Sequence, residues 1–278
     1  MSAFFASPNV QAALLASAVV AALSAAIGYF VVLRGLSFAG HAVTDIGLTG
    51  GAGALLAGFD PLWGLLAFSA GAAAAVGLLG DRARERDLAT GLVLAFALGV
   101  GALFLHLQTR YANAQAALLF GSVFDTDPGL LRAVAAIGIL ALAALAFLYR
   151  PLLFASVAPE VARTAGVPVR GVGFAFLIVM AVAVAETAQV VGVLIATALL
   201  VGPAATAMAL ERRPLRGIAL AMALGIAECW IAIGLAFASF AWSGGAHSWP
   251  VSFFVAVLAL GAFLAARAAG GRKAARRA

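Results

Sequence analysis

Polar residues interrupt this chain only at wide intervals, and the stretches between them are almost wholly apolar. Apolar runs lie near 10–33, 37–57, 62–80, 88–107, 132–149, 171–188, 190–209, 217–241 and 250–267. Each is close to the roughly 20 residues that a helix needs to cross a bilayer. The pattern therefore predicts an all-α polytopic transmembrane bundle of about 8–10 spans, nine by this reading, forming a single domain over 1–278. The breaks have physical causes. Phe59-Asp60-Pro61 and Thr126-Asp127-Pro128-Gly129 are turn sequences, and Glu211-Arg212-Arg213-Pro214 stops a helix. Asp81 to Asp87 is a charge run that cannot stay in hydrocarbon, and Ser243 to Pro250 reads as a glycine-rich hairpin. The run 112–124 is too short to span and is expected to be interfacial or re-entrant.

Composition supports the same solvent. Of the residues, 65% are hydrophobic and 10% charged, against about 45–50% and about 25% in a soluble domain. The net charge of +6 would suit a nucleic-acid binder, but its distribution argues for topology. With nine spans and the C-terminus inside, 15 of the 17 Lys and Arg residues fall on the cytoplasmic side, and only Arg110 and Arg132 fall outside. That is the bias expected of cytoplasmic loops. It predicts an N-terminus outside and a basic cytoplasmic tail over 268–278, read as an anchor near anionic lipid. No Lys or Arg precedes Arg34, so the first run reads as a retained helix, not a signal peptide. The single cysteine, Cys229, rules out an internal disulfide.

The only lysine is Lys273. A phosphate-binding loop needs a lysine after its glycines, so nucleotide hydrolysis is expected to belong to another chain. Neither a Ser/His/Asp set nor a CxxC or HExxH motif is present, and the chain is not expected to be an enzyme. Ionisable groups inside the spans carry the candidate chemistry, because they are expensive there. His41 and Asp45 stand i, i+4 on one helix face. Imidazole with carboxylate is a donor set for a divalent cation such as zinc, manganese or iron. The alternative is that the two simply hydrogen-bond each other or a neighbouring helix. Their helix is rich in glycine, which permits close helix approach. Glu186 and Gln189 lie one turn apart at the start of the seventh span, where Glu186 either faces a water-filled path or sits near the outer interface. Glu228 is mid-span beside Cys229, as a pathway ligand or a helix–helix hydrogen-bonding group. Glu186 and Glu228 are the secondary metal candidates. His106 and His247 are expected at the outer side, where each could help to collect a cation.

Between 155 and 171 the chain is more polar. Pro159 at a helix start, Glu160 in the first turn and Gly166 just past the end describe a short capped helix. Such a helix on the cytoplasmic face is either a docking element for a partner or an ordinary loop helix.

Four stretches in order resemble a known family. These are Phe30 to Gly40, Leu119-Phe120-Gly121-Ser122 followed by Asp127-Pro128, Ala158 to Gly166, and, most specifically, Val191 to Ala207 with its Gly192, Gly202 and Pro203. Together they look like the permease subunits of bacterial ABC importers for zinc, manganese and iron, the ABC-3 family, over roughly residues 20–265. The resemblance implies a homodimer in the bacterial cytoplasmic membrane with the path near its centre. It implies two copies of a separate ATPase docked on the coupling helix, where Ala158, Glu160, Arg163 and Gly166 match, and an extracytoplasmic metal-binding protein that delivers the ion. Family members carry an Asp after the glycine matching Gly40 and a His four residues on; here the order is reversed. The expected function is therefore import of a divalent metal by alternating access. Zinc leads because imidazole suits it, with manganese and iron open. ATP enters only through the partner, and no cofactor is permanently bound. The competing readings are a proton-coupled secondary transporter using Glu186 and Glu228, and an ABC permease for a metal chelate or a vitamin.

Overall fold

The computed structural model describes residues 7–78, 83–107, 118–121, 128–242 and 249–275. Among the described residues the main helices run in order: α1 (Pro8–Leu33), α2 (Ser37–Leu56), α3 (Pro61–Leu78), α4 (Ala83–Leu107), α5 (Pro128–Val157), α6 (Pro159–Thr164), α7 (Val169–Val191), α8 (Val193–Leu210), α9 (Pro214–Trp242) and α10 (Val251–Ala275). No strand occurs among the described residues. Five of these helices begin on a proline, Pro8, Pro61, Pro128, Pro159 and Pro214. At the first helical position its missing N–H costs nothing and its φ is already set.

Among the described residues eight helices are long and apolar enough to cross a membrane. The ninth long one, α2, has 20 residues and so spans about 30 Å. Its glycines, two threonines, His41 and Asp45 keep its hydropathy below that of the others. The expected spans therefore map one to one onto the long helices, with two informative differences. The fifth was expected to end at 149, but α5 runs through Pro151 to Val157. The break between the sixth and seventh was expected near 189, but it lies at Gly192, so Glu186 and Gln189 belong to the end of α7. Most of the charge run at 81–87, most of the run 112–124 and most of the hairpin at 243–250 lie outside the residues whose side chains are described.

Between lipid-solvated helices the hydrophobic effect does little, and close packing of small residues does more. α1 is central, packed by α5, α7, α8 and α9, while α7 packs on α1, α3 and α5. α2 lies between α3 and α4, and α10 covers α8 and α9. At the α2–α3 contact a Cβ on Gly50 would strike the carbonyl oxygen of Gly64, and one on Gly64 would strike that of Gly50. A Cβ on Gly28 of α1 would strike the carbonyl oxygen of Leu200, and one on Gly202 would lie 2.7 Å from Ala259 Cβ. Hydroxyls then stitch the helices together. Thr49 Oγ1 donates to the Ala97 carbonyl at 2.7 Å, Ser69 Oγ to that of Val43 at 3.3 Å, and Ser24 Oγ meets Thr187 Oγ1 at 2.6 Å. Such bonds average about 0.6 kcal/mol each in a membrane bundle. The two largest apolar cores among the described residues lie around Phe30, Phe176, Met180 and Leu200 and around Val20, Leu199, Ile233 and Val255.

A single residue joins α7 to α8. Gly192 has φ 102° and ψ 149°, a conformation strained for any residue with a Cβ. The segment 118–121 backs onto this joint. Gly121, at φ 81°, comes so close that a Cβ on it would stand 2.7 Å from the Gly192 nitrogen, and one on Gly192 would stand 2.6 Å from the Leu119 carbonyl oxygen. Leu118, Val191 and Val193 are all buried here, so the described part of the run 112–124 reaches into the bundle.

Candidate metal site

α2 places His41 and Asp45 one turn apart. His41 Nε2 stands 3.4 Å from Asp45 Oδ2, with 50% of the His41 side chain and 18% of the Asp45 side chain exposed. The pair is thus open to a solvent-sized visitor on one side and walled on the other. The wall is α8. A Cβ on Gly40 would lie 3.0 Å from Leu200 Cδ2, so the absence of a side chain at 40 lets α8 approach. That approach brings Thr197, one turn before Leu200, to His41, with Nδ1 and Thr197 Oγ1 at 3.1 Å.

These distances have chemical content. If Nδ1–H donates to Thr197 Oγ1, the imidazole presents its Nε2 lone pair on the side of Asp45. Two donors each about 2.1 Å from one ion stand roughly 3.0–3.4 Å apart for angles between octahedral and tetrahedral. The Nε2–Oδ2 separation therefore fits both atoms on one cation without rearrangement of the helix. A hydroxyl on the far ring nitrogen fixes ring orientation and tautomer, the usual task of an outer-shell partner. Thr197 was not singled out in the sequence because it lies in an apolar run 156 residues from His41. Thr44, beside the pair in sequence, instead bonds the Gly40 carbonyl at 2.8 Å.

The other candidates stand apart. Glu186 on α7 is fully buried and Glu228 on α9 nearly so; both oxygens of each lack a hydrogen-bond partner. Among the described residues no group of three or more His, Cys, Asp or Glu gathers, so neither acid joins His41 and Asp45 within one chain. His106 is exposed in the last turn of α4, and His247 lies outside the described residues. Cys229 is buried and free.

The short helix expected at 158–166 is present as α6. Pro159 opens it, Glu160 sits in its first turn, and Arg163 Nη1 donates to Glu160 Oε1 at 2.8 Å. Gly166, at φ 82°, closes it: its N–H reaches the Arg163 carbonyl and that of Val167 reaches the Ala162 carbonyl, a Schellman cap. Ala162 is buried and Val161 exposed. Beside α6 is a cleft of about 600 Å³ lined by Arg163, Pro168, Val169, Arg170 and Gly171. The loop after α8 carries Glu211, whose carboxyl is held below the ordinary glutamate range first by the Arg213 backbone N–H, and further by Arg212 and by the charges of Arg216 and Arg213.

Known proteins share this sequence and arrangement. The chain is 29% identical over 253 residues to the manganese transport system membrane protein MntC of Listeria innocua, covering 89% of each chain. It is 30% identical to a probable iron transport system membrane protein of Haemophilus influenzae, covering 82% of this chain and 84% of that one. The solved structure titled PsaBC from Streptococcus pneumoniae in complex with Fab shares the fold, with TM-score 0.81 at 22% identity over 94% of this chain and 91% of that one. Residues 6–265 match the ABC 3 transport family, and the chain belongs to that family as a multi-pass membrane permease of the ABC metal-transport type.

Proposed function

We propose that this chain is the membrane subunit of a divalent-metal importer and that His41 and Asp45 hold the ion in passage. The observation that carries the reading is the 3.4 Å separation of His41 Nε2 and Asp45 Oδ2 on a half-exposed helix face. Two protein donors are too few for a stable site, which suits transit because an ion must also leave. A second copy of the chain across a two-fold axis would add another imidazole and another carboxylate, making a four-donor gate between protomers. The names of the relatives favour manganese, with iron next. One imidazole with one carboxylate, and no thiolate, suits manganese as well as zinc. The zinc preference read from the imidazole therefore gives way to manganese.

ATP hydrolysis belongs to a partner ATPase docked against α6, and metal arrives from an extracytoplasmic binding protein. α6 leads through the Gly166 turn into α7, α7 ends at the Gly192 joint, and the first turns of α8 carry Thr197 to His41. A push on α6 is thus delivered through one rigid helix to the residue that orients the imidazole. Family membership weighs against the secondary-transporter reading. The distribution of basic side chains supports a cytoplasmic α6 and C-terminus with the N-terminus outside.

The test is uptake into proteoliposomes holding this chain with its ATPase and metal-loaded binding protein. Manganese, iron and zinc are supplied in turn, with ATP and without. ATP-dependent uptake of manganese that is lost in His41→Ala/Asp45→Ala is the expected result. Uptake that survives the double substitution would move the site elsewhere, and uptake of a chelate in preference to the free ion would favour the chelate-permease reading.

A further inference from the structure

Glu186 sits in α7 six residues before the Gly192 joint, with its side chain fully buried. Neither Oε1 nor Oε2 has a hydrogen-bond partner, and Gln189, one turn on along the same face, also has its Oε1 unpartnered. The nearby hydroxyls are already committed. Thr187 Oγ1 donates to the Ala183 carbonyl at 2.7 Å, and the Ser24 hydroxyl shares a 2.6 Å bond with Thr187. Gly138 of α5 makes room for the carboxyl, since a Cβ there would lie 3.3 Å from Glu186 Oε2 and 2.9 Å from Val19 Cγ1 of α1.

Among the described residues no charged group partners the Glu186 oxygens. α1, α3 and α8 contain no Asp, Glu, Lys, Arg or His. The charged groups on or against α7 are its own Arg170, Arg34 over the Phe176 ring, Arg132 and Arg150 of α5, His41 and Asp45 of α2, and Glu160 and Arg163 of α6. The tyrosines Tyr29 and Tyr149 are engaged around Phe30. None of these partners the Glu186 oxygens. One His/Cys/Asp/Glu side chain cannot furnish a metal's coordination shell. A proton, by contrast, removes the buried charge and gives the carboxyl an O–H donor of its own.

We propose that Glu186 is a proton-binding site, loaded in this conformation and emptied when α7 separates from α1 and α5 in the transport cycle. The groups beside it, Val19 and Leu23 of α1 and Gly138 of α5, belong to other helices, so a shift of α7 admits water to it. The proposal rests on the reading that α6 drives α7, and its test does not depend on which metal moves.

The experiment is infrared difference spectroscopy on the full transporter in lipid, with its ATPase and loaded binding protein, before and after ATP. Labelling with carbon-13 glutamate assigns any protonated carboxyl band to glutamate. The expected result is that a protonated-carboxyl stretch present before ATP is lost on ATP addition, and that this ATP-dependent loss is absent in Glu186→Gln and retained in Glu228→Gln. A resting state without the band, a band that ATP leaves unchanged, or an ATP-dependent loss that disappears in Glu228→Gln instead, each overturns the proposal. Labelled wild-type protein decides the first two outcomes even where Glu186→Gln does not fold. Metal uptake by the same wild-type samples separates this result from the metal reading, since that reading fails on absent uptake whatever the band does.

Discussion

Asp45 and Glu186 are both acids inside a helical membrane bundle, and the bundle treats them in opposite ways. Asp45 has an imidazole one turn away, a glycine-thinned helix around it and a partly open face. Glu186 is fully buried and, among the described residues, has no partner for either oxygen. An acid inside a membrane implies a function by default, but burial and partners decide which one. An open carboxylate beside a neutral imidazole can take and release a cation. A sealed carboxyl without donors can exchange only the smallest one.

The sharpest way to break the comparison is at the open acid. Removing both donors in His41→Ala/Asp45→Ala should lower ATP-driven manganese uptake by at least ~100-fold, beyond the 10–100-fold typical of losing an outer-shell partner, while expression and thermal stability stay near wild type because His41 is half exposed. Uptake within about tenfold of wild type would mean that this face is not the path. Acidification should imitate the double variant in part. Neutral imidazole and ionised carboxylate are the metal-binding forms, so uptake should fall on acidification.

The joint between the two regions comes next. Gly192→Ala would put a Cβ at φ 102° and 2.6 Å from the Leu119 carbonyl oxygen. The conformation alone costs about 1–3 kcal/mol, so a clear loss of thermal stability, of ~2 kcal/mol or more, is expected in lipid or detergent. Gly234→Ala is the control. A Cβ there meets nothing within 4 Å, and a mid-helix Gly→Ala change is neutral or stabilising by up to about 1 kcal/mol. Equal behaviour of the two variants would show that the joint is not strained.

Thr197 allows a finer cut. Thr197→Val keeps the shape and removes the hydroxyl on His41 Nδ1. It should weaken manganese binding by roughly 10-fold, with Thr197→Ser recovering most of the loss. If the valine variant binds as tightly as wild type, His41 does not depend on this bond for its orientation.

How much of this was readable from the chain depends on distance along it. His41 and Asp45 are four residues apart, and helical periodicity alone places them on one face. Thr197 contacts His41 from 156 positions away, which no local pattern encodes. The capped helix α6 was legible because proline, glutamate and glycine each act within one turn. The end of α5 was not, because the reading stopped the span at Arg150-Pro151, while the helix carries Pro151 internally to Val157. The burial of Glu186 was missed for a related reason. With the break set near 189, the acid fell at a junction near the surface. Gly192 moves the break, and the missing side chain of Gly138 on another helix makes the pocket.

The smallest effect is expected from a third acid, which completes the series from sealed to open. Glu211 is partly exposed in the loop after α8, and Oε1 accepts the Arg213 backbone N–H at 2.9 Å. Its carboxyl is held below the ordinary range chiefly by that bond, so the folded state favours the ionised form. A depressed carboxylate stabilises the fold above its unfolded value, about 4.3 for glutamate, and the contribution disappears as pH falls through the folded value. Glu211→Gln should therefore be slightly less stable than wild type at neutral pH, and the gap should close on acidification below that range. Thermal denaturation of both proteins across pH checks this. A gap that stays constant with pH would show that the side chain acts by shape alone. In water the same bonds that hold a carboxylate matter little, because solvent competes for every one. The contrast with Glu186, where no solvent competes, is then a matter of surroundings and not of residue type.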